Sequence, residues 1–204
     1  MPPKLLFATR LGYDIIDKRR FAELGAMFTI SILTVSDKGS QGKREDKSGE
    51  AIKEIVSQID ARVVDYAIVP DERDIIAKKL AGWADSGNVD MIITTGGTGL
   101  APRDVTPEAT LDVVDRIAPG FAEVMRAESL KKTPRAMLSR AVAGIRKKTL
   151  IINLPGSPKA VRECLEAIMP ALPHAVETLR GEASECAEPP KVVERKMGRG
   201  NKCA

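Results

Sequence analysis

The sequence has 204 residues, of which 43% are hydrophobic, enough for one sizeable globular core but not comfortably for two. Its net charge of +4 comes from 32 basic and 28 acidic residues that are interspersed, and only 3% of residues are aromatic, which argues against a nucleic-acid-binding protein. Cys164, Cys186 and Cys203 form no C-x-x-C pair, and no apolar run reaches the length of about 18 residues that spans a membrane, so we expect a cytoplasmic protein.

The first strong element is the strand predicted over residues 28–35, a nearly continuous apolar run typical of a strand buried on both faces. Residues 1–27 show no complete pattern, and we expect them to be an extension of the folded domain. A polar loop over residues 36–47 follows the strand, and a helix is then predicted from apolar residues at helical spacing: Ile52, Ile55, Val56 and Ile59.

The same strand-loop-helix unit repeats three more times, with strands predicted over residues 63–69, 91–95 and 150–154. Helices are predicted after Pro70-Asp71-Glu72, from Thr106 onward, over residues 120–130, and from Ser157-Pro158 to about Arg180 with a break near Pro170 or Pro173. Strands that alternate with helices indicate an α/β fold with a mostly parallel sheet covered on both faces. We therefore predict one domain over residues 28–180 and a disordered tail over residues 181–204.

Polar and glycine residues follow each predicted strand, and the carboxyl ends of parallel strands are where such sheets bind ligands. The stretch after the third strand is rich in glycine, which allows backbone N–H groups to approach an anion closely. We expect a phosphorylated ligand at these residues: Ser36, Asp37, Asp71, Glu72, Thr95, Gly96, Gly97, Thr98, Gly99, Arg103, Asp104, Pro155, Gly156 and Ser157.

Each of these features also has a structural explanation. The glycines could simply form a tight turn between a strand and a helix. Asp71 and Ser157 could each cap a helix N-terminus. Arg103 and Asp104 could form an ion pair of local value only. Spacing alone does not decide between these explanations and ligand binding.

The residue types that the sequence contains restrict the reactions that the protein could catalyse. The single histidine, His174, lies in the apolar final helix, which excludes a Ser-His-Asp or Cys-His triad, and the scattered cysteines offer no zinc site. The sequence contains no Walker phosphate loop and no dinucleotide-binding G-x-G-x-x-G after a strand. Carboxylates such as Asp71 and Asp104 suit Mg²⁺. Phosphoryl or nucleotidyl transfer, which needs positioning, Mg²⁺ and anion-binding donors, remains compatible.

Several motifs in the sequence resemble those of a known family. The sequences TTGGTG at residues 94–99 and RDVTPEA at residues 103–109 resemble those of the MogA-type molybdopterin adenylyltransferases. Five further motifs follow the order and spacing of that family: SD at 36–37, PDE at 70–72, PGF at 119–121, SR at 139–140 and LPGSP at 154–158. The resemblance covers about residues 28–180.

The resemblance implies a three-layer α/β/α sandwich that assembles as a homotrimer and binds molybdopterin, with Mg²⁺ and ATP, at the glycine-rich stretch and neighbouring strand ends. By matching motif, Asp71 and Asp104 are the expected catalytic carboxylates and Mg²⁺ ligands, and the expected substrate-binding residues are Ser36, Asp37, Thr95, Gly96, Gly97, Thr98, Gly99, Pro155, Gly156 and Ser157. The reaction would join AMP from ATP to the terminal phosphate of molybdopterin.

A second hypothesis stays open. A MoaB-like branch of the same fold resembles this chain at residues 139–144, and its members suggest a noncatalytic scaffold that binds the pterin and docks the molybdate insertion protein. The presence of both Asp71 and Asp104 favours the enzyme, and consumption of ATP is the observation that separates the two.

Overall fold

The computed structural model describes residues 28–59 and 61–182, so the predictions for residues 1–27 and for the tail from residue 183 onward lie outside it. Six strands form one sheet: β1 (Phe28–Val35), β2 (Ala61–Val69), β3 (Met91–Thr95), β4 (Arg116–Ile117), β5 (Ala143–Arg146) and β6 (Thr149–Leu154). Their order across the sheet is β2-β1-β3-β6-β5-β4. The four strands from β2 to β6 in this order are parallel, and β5 and β4 extend the sheet in antiparallel fashion.

In the described part of the chain, five α-helices lie between strands and two follow β6: α1 (Asp37–Ser40), α2 (Lys47–Val56), α3 (Arg73–Asp85), α4 (Thr106–Leu111), α5 (Pro119–Leu130), α6 (Pro158–Ile168) and α7 (Leu172–Arg180). Two short 3₁₀ helices lie at Pro134–Leu138 and Met169–Ala171. The second of these separates α6 from α7, which confirms the predicted break in the final helix. Gly181 ends α7 at a φ of 83°, the left-handed conformation that glycine adopts most readily.

The helices cover both faces of the sheet, which confirms the three-layer α/β/α architecture. Alternation along the central strands divides the core, because Ile30 and Ile32 of β1 face one layer and Leu33 and Val35 the other. The first layer contains apolar residues of α2, α5, α6 and α7, and the second contains those of α3 and α4. Among the residues described, no helix is long and apolar enough to cross a membrane.

The sequence did not predict β4, β5 or the short helix α1. Gly144 interrupts the apolar pattern of β5. This position requires glycine because a Cβ there would lie 2.7 Å from Cγ1 of Val114. Lys147, at a φ of 53°, turns the chain from β5 into the antiparallel β6. The predicted loop over residues 36–47 is also partly helical, because α1 lies at its start and α2 begins at Lys47.

Candidate functional site

The carboxyl ends of four neighbouring strands form the site. In the sheet, Val35 of β1 pairs with Val69 of β2, and Thr95 of β3 pairs with Leu154 of β6, so the loops that follow these strands meet at one edge. They enclose a cleft of about 600 Å³. Its lining residues are Thr34, Val35, Ser36, Gly39, Arg44, Glu45, Asp46, Lys47, Ser48, Asp71, Thr95, Gly96, Gly97, Gly156 and Pro158.

Gly96 and Gly97, which begin the loop of residues 96–105, here called the β3–α4 loop, line this cleft. Gly96 and Gly97 have φ values of 97° and 62°, which L side chains rarely adopt. A Cβ on Gly96 would lie 2.2 Å from the carbonyl oxygen of Val35, and one on Gly97 would lie 2.4 Å from Oγ1 of Thr106. The glycines therefore do form the tight turn considered above, and the same turn brings bare backbone to the cleft.

The loop after β6 packs directly on that glycine turn. The hydroxyl of Thr95 donates to the carbonyl of Pro155 at 2.8 Å, and a Cβ on Gly156 would lie 3.3 Å from Cα of Gly96. Two glycine backbones thus meet at the floor of the cleft. Ser157 occupies the N-cap position of α6, but its exposed side chain makes no capping hydrogen bond.

Asp37 and Asp71 lock the ends of β1 and β2 together. The N–H of Asp37 donates to Oδ2 of Asp71 at 2.8 Å, and the N–H of Asp71 donates to Oδ1 of Asp37 at 3.0 Å. The guanidinium of Arg103 donates to both carboxylate oxygens of Asp37, at 2.8 and 3.0 Å, and to Glu72 at 2.8 Å. Arg103 therefore pairs across the site with these two carboxylates, and the alternative explanation of a local ion pair between Arg103 and Asp104 is wrong.

The carboxyl groups of Asp37 and Asp71 are shifted in opposite directions. Hydrogen bonds from Arg103 and from the N–H of Asp71 lower the pKa of Asp37. Burial raises the pKa of Asp71, and the charges of Asp37 and Asp104 add to that rise, against the hydrogen bond from Asp37 and the charge of Arg103. Asp71 is also not a helix cap, because Glu72 occupies the N-cap position of α3.

Asp104 lies at the far end of the β3–α4 loop, and it is not among the residues that line the cleft. Its Oδ2 accepts a hydrogen bond from the N–H of Ala101 at 2.8 Å. A Cβ on Gly99 would come within 2.8 Å of that same oxygen, so glycine at this position lets the carboxylate fold against its own loop. Asp104 is still near enough to Asp71 for its charge to affect that group.

The predicted site residues therefore divide into two groups. The structure brings together in the cleft lining Ser36, Asp71, Thr95, Gly96, Gly97 and Gly156. Six others adjoin the cleft without lining it: Asp37, which begins α1, and the loop residues Thr98, Gly99, Asp104, Pro155 and Ser157. The Oγ of Ser36 accepts a hydrogen bond from the N–H of Gly39 at 3.1 Å and so caps α1.

Sequence reasoning missed the opposite wall, which the start of α2 provides. Asp46 caps α2 by accepting from the N–H of Gly49 at 2.9 Å, and it also accepts from the hydroxyls of Thr34 and Tyr66. Burial opposes ionisation of the Asp46 carboxyl, but these hydrogen bonds outweigh burial and lower its pKa. Burial and the Asp46 carboxylate raise the phenol pKa of Tyr66. Ser48 donates to the carbonyl of Gly156 at 2.8 Å, which ties this wall to the floor. An Asp directly before a helical apolar pattern was the available signal.

Acidic and basic side chains are mixed at this site. The cleft lining carries Glu45, Asp46 and Asp71 beside Arg44 and Lys47, and next to it Arg103 pairs with Asp37 and Glu72. Yet no three His, Cys, Asp or Glu side chains within residues 28–59 and 61–182 converge to hold a metal by themselves. Mg²⁺ is commonly bound by one or two carboxylates together with substrate phosphates, so Asp71 and Asp104 fit such a partial ligand set.

Comparisons with known proteins find similarity over most of the described chain. Residues 31–174 match the family described as "Probable molybdopterin binding domain". The chain is 52% identical over 154 residues to the molybdopterin adenylyltransferase of Helicobacter pylori strain J99, covering 74% of this chain and 88% of that protein. It is 40% identical over 178 residues to that of Escherichia coli K12, covering 80% and 90%. The structure of the molybdopterin biosynthesis enzyme MoaB from Thermus thermophilus superposes with a TM-score of 0.73 at 55% identity, covering 76% and 98%.

Proposed function

The chain belongs to the family of probable molybdopterin binding domains, and on that basis we propose that it is a molybdopterin adenylyltransferase of molybdenum cofactor biosynthesis. It would transfer AMP from ATP to the terminal phosphate of molybdopterin and release pyrophosphate. The carrying observation is the cleft in which Asp71 faces the bare backbone of Gly96 and Gly97. The relatives named as adenylyltransferases favour this enzyme over the noncatalytic scaffold.

We place the pterin phosphate on the floor of the cleft, where Gly96, Gly97 and Gly156 leave room for a ligand to reach the backbone. Peptide N–H groups in a glycine turn are good partners for an anion because no Cβ shields them. The N–H groups of Gly97 and Gly156 are the candidates here, because the N–H of Gly96 donates to the carbonyl of Leu154 at 3.3 Å. The side chains of Arg44 and Lys47 line the opposite wall and supply positive charge for a second polyanion, the triphosphate of ATP. The nucleophile already carries negative charge near pH 7, so the main task of the site is to hold two anions together.

Asp71 and Asp104 are the residues that we propose to hold Mg²⁺, together with phosphate oxygens of ATP. The ion supplies charge neutralisation at the phosphates during nucleotidyl transfer. Without a cation, the two carboxylates repel each other. Burial is the main cause of the raised pKa of Asp71, and the charges of Asp37 and Asp104 add to the rise. Arg103 and Asp37 hold Asp71 in place through the hydrogen bonds described above.

We further propose a homotrimer in the cytoplasm that contacts the molybdate insertion protein. Large apolar side chains that remain exposed in the single chain support an assembly. They include Leu100, Ile117 and Met137, each 64–66% exposed. Sedimentation velocity of the purified chain tests this proposal, since a species of one chain mass at micromolar concentration would exclude the trimer.

The test of the function is an assay of pyrophosphate release with molybdopterin, ATP and Mg²⁺, and with each component left out in turn. We expect release that needs all three and that stops on addition of EDTA. Asp104→Ala should abolish turnover while leaving pterin binding largely intact. Asp85→Ala is the matched control, because Asp85 pairs with Arg146 and Lys147 away from the cleft. Tight pterin binding without pyrophosphate release in the unaltered protein would instead establish the scaffold.

A further inference from the structure

The β3–α4 loop carries both the glycine backbone and Asp104, but its residues 96–105 include no helix or strand to fix its shape. At its start, the N–H and hydroxyl of Thr106 donate to the carbonyls of Gly97 and Gly96, at 3.1 and 2.9 Å. At its end, Ala101 and Asp104 bond to each other, through the N–H of Asp104 and through its carboxylate. The second half of the loop therefore needs support from another part of the chain.

Arg140 provides that support from the segment before β5. Its backbone N–H donates to the carbonyl of Thr98 at 2.9 Å, and its Nε donates to the carbonyl of Gly99 at 2.7 Å. One terminal nitrogen donates to the carbonyl of Asp104, and the other donates to the carboxylate of Glu108. One guanidinium thus connects both ends of the segment 99–104 with the first turn of α4.

We propose that Arg140 is a positioning residue that sets the place of the Asp104 carboxylate by holding the carbonyls of Gly99 and Asp104. This inference rests on the proposed function, in which Asp104 acts on the phosphates. The planar guanidinium presents its N–H groups in a fixed fork that can span two carbonyls at once. A lysine at the same place keeps the charge and the contact with Glu108, but its single ammonium group cannot reproduce the fork.

The ion pair with Glu108 is separable from this role. Arg140 and Glu108 side chains are 35% and 37% exposed, so the pair contributes little beyond local order. Glu108→Gln removes the charge pair while the two carbonyl bonds of Arg140 remain. If positioning is the role of Arg140, Arg140→Lys must therefore be more damaging to turnover than Glu108→Gln.

Arg146 offers a matched control at the other end of β5. Its guanidinium holds a carboxylate and one carbonyl, where that of Arg140 holds a carboxylate and two carbonyls: it donates to Val113 at 2.8 Å and to Asp85 at 2.7 Å. Its side chain is 24% exposed, comparable to that of Arg140, and it lies away from the cleft. Arg146→Lys therefore measures the cost of losing an arginine clamp that has no part in the site.

The experiment measures kcat, KM for ATP and pterin, thermal midpoint and amide hydrogen exchange in the full-length protein and these three variants. We expect Arg140→Lys to lower kcat roughly 10- to 100-fold, the cost of a misplaced group of this kind, with both KM values within about threefold. Exchange at residues 98–105 should rise about tenfold while the central strands stay protected. Arg146→Lys and Glu108→Gln should keep kcat within about threefold and leave exchange in the loop unchanged.

Two results would overturn the inference: a kcat in Arg140→Lys within about threefold of the unaltered protein, or loop exchange no faster than in Arg146→Lys. An unaltered protein that releases no pyrophosphate would refute the proposed function instead. Hydrogen exchange would still decide whether Arg140 fixes the loop, so the two failures are distinguishable.

Discussion

Gly97→Ala tests whether the turn at the cleft floor requires glycine for both its dihedral angle and its space. The residue has a φ of 62°, and a Cβ placed there would lie 2.4 Å from Oγ1 of Thr106 and 3.3 Å from Oδ1 of Asp71. That threonine hydroxyl is buried and donates to the carbonyl of Gly96 at 2.9 Å. The substitution therefore strains the backbone and pushes away a buried donor.

The expected cost follows from these two effects. A left-handed conformation costs an alanine about 1–2 kcal/mol. Ordinary contact begins near 3.4 Å, so the hydroxyl must move about 1 Å, which breaks its bond and leaves a buried carbonyl unsatisfied at a cost of about 1–3 kcal/mol. We expect a total of about 2–5 kcal/mol. At roughly 2–4 °C per kcal/mol for a domain of this size, 3 kcal/mol lowers the thermal midpoint by about 6–12 °C.

Two other glycines separate the contributions. Gly42 has a φ of 68°, and a Cβ added there would have no atom within 4 Å, so Gly42→Ala reports the dihedral cost alone. Gly82 lies inside α3, also with nothing within 4 Å and without a positive φ, so Gly82→Ala should stabilise the protein by about 0.5–1 kcal/mol. Thermal unfolding and urea titration of the three variants give the free energies of unfolding.

The decisive comparison is between Gly97→Ala and Gly42→Ala. We expect the former to be less stable by a further 1–3 kcal/mol or so, and to lose pyrophosphate release because the displaced Thr106 and the contact with Asp71 disturb the cleft. Equal destabilisation of the two variants would refute the steric part of this reasoning.

Two substitutions test the rest of the fold, one at a partly buried carboxylate and one at a fully buried amide. Burial opposes ionisation of Asp90, but hydrogen bonds from Arg180 and Thr29 outweigh it and lower the pKa. The stabilisation by the Asp90 carboxylate is thus complete above the unfolded-state pKa near 3.9 and is lost as pH falls through the lower folded pKa. Asp90→Asn should therefore cost about 1.5–3 kcal/mol at pH 7 and progressively less below about pH 4. A difference in unfolding free energy between the two proteins that does not change with pH would contradict this. Asn153, fully buried, donates to the hydroxyl of Thr94 at 3.0 Å, and Asn153→Ala should lower stability by about 2–4 kcal/mol in urea titrations, whereas a change below 1 kcal/mol or so would show that the hydrogen bond is dispensable.

The central strands could be predicted from sequence because their burial on both faces leaves a continuous apolar run. The predicted bounds 28–35 and 91–95 coincide with β1 and β3, and the predicted starts of β2 and β6 differ by two residues and one residue. The helices follow from periodicity and from proline near their first turns, as at Pro107, Pro119 and Pro158. Local sequence and tertiary burial agree in these elements.

The missed elements depend on contacts that no local pattern encodes. β5 is four residues long and includes a glycine, and its strand conformation is fixed by pairing with β6 and by packing of Gly144 against Val114. β4 has only two residues, both exposed. α1 is a single turn, capped by Ser36 and too short to show a helical period.

The location of the candidate site could be predicted from the sequence, but the hydrogen bonds within it could not. Parallel-sheet topology and glycine placement point to the cleft, and Asp71 lines it as expected. The reciprocal bonds between Asp37 and Asp71 join residues 34 apart, and Ser48 reaches a carbonyl 108 residues away. Such pairs come together only in the tertiary structure, so the contribution of the start of α2 to the site escaped prediction.

Arg103 and Arg140 bind different groups of the acidic site, and this difference decides which carboxylates are paired with a guanidinium. Arg103 binds both oxygens of Asp37, which holds the pKa of that carboxyl low and makes it a structural anchor for the backbone of Asp71. Arg140 instead binds the carbonyl of Asp104, so the carboxylate of Asp104 is held in place without being neutralised by a guanidinium. Neighbouring acids whose environments shift them apart commonly have different roles. This arrangement supports the proposal that Asp37 anchors the site and that Asp71 and Asp104 share a divalent cation with the phosphates of a substrate.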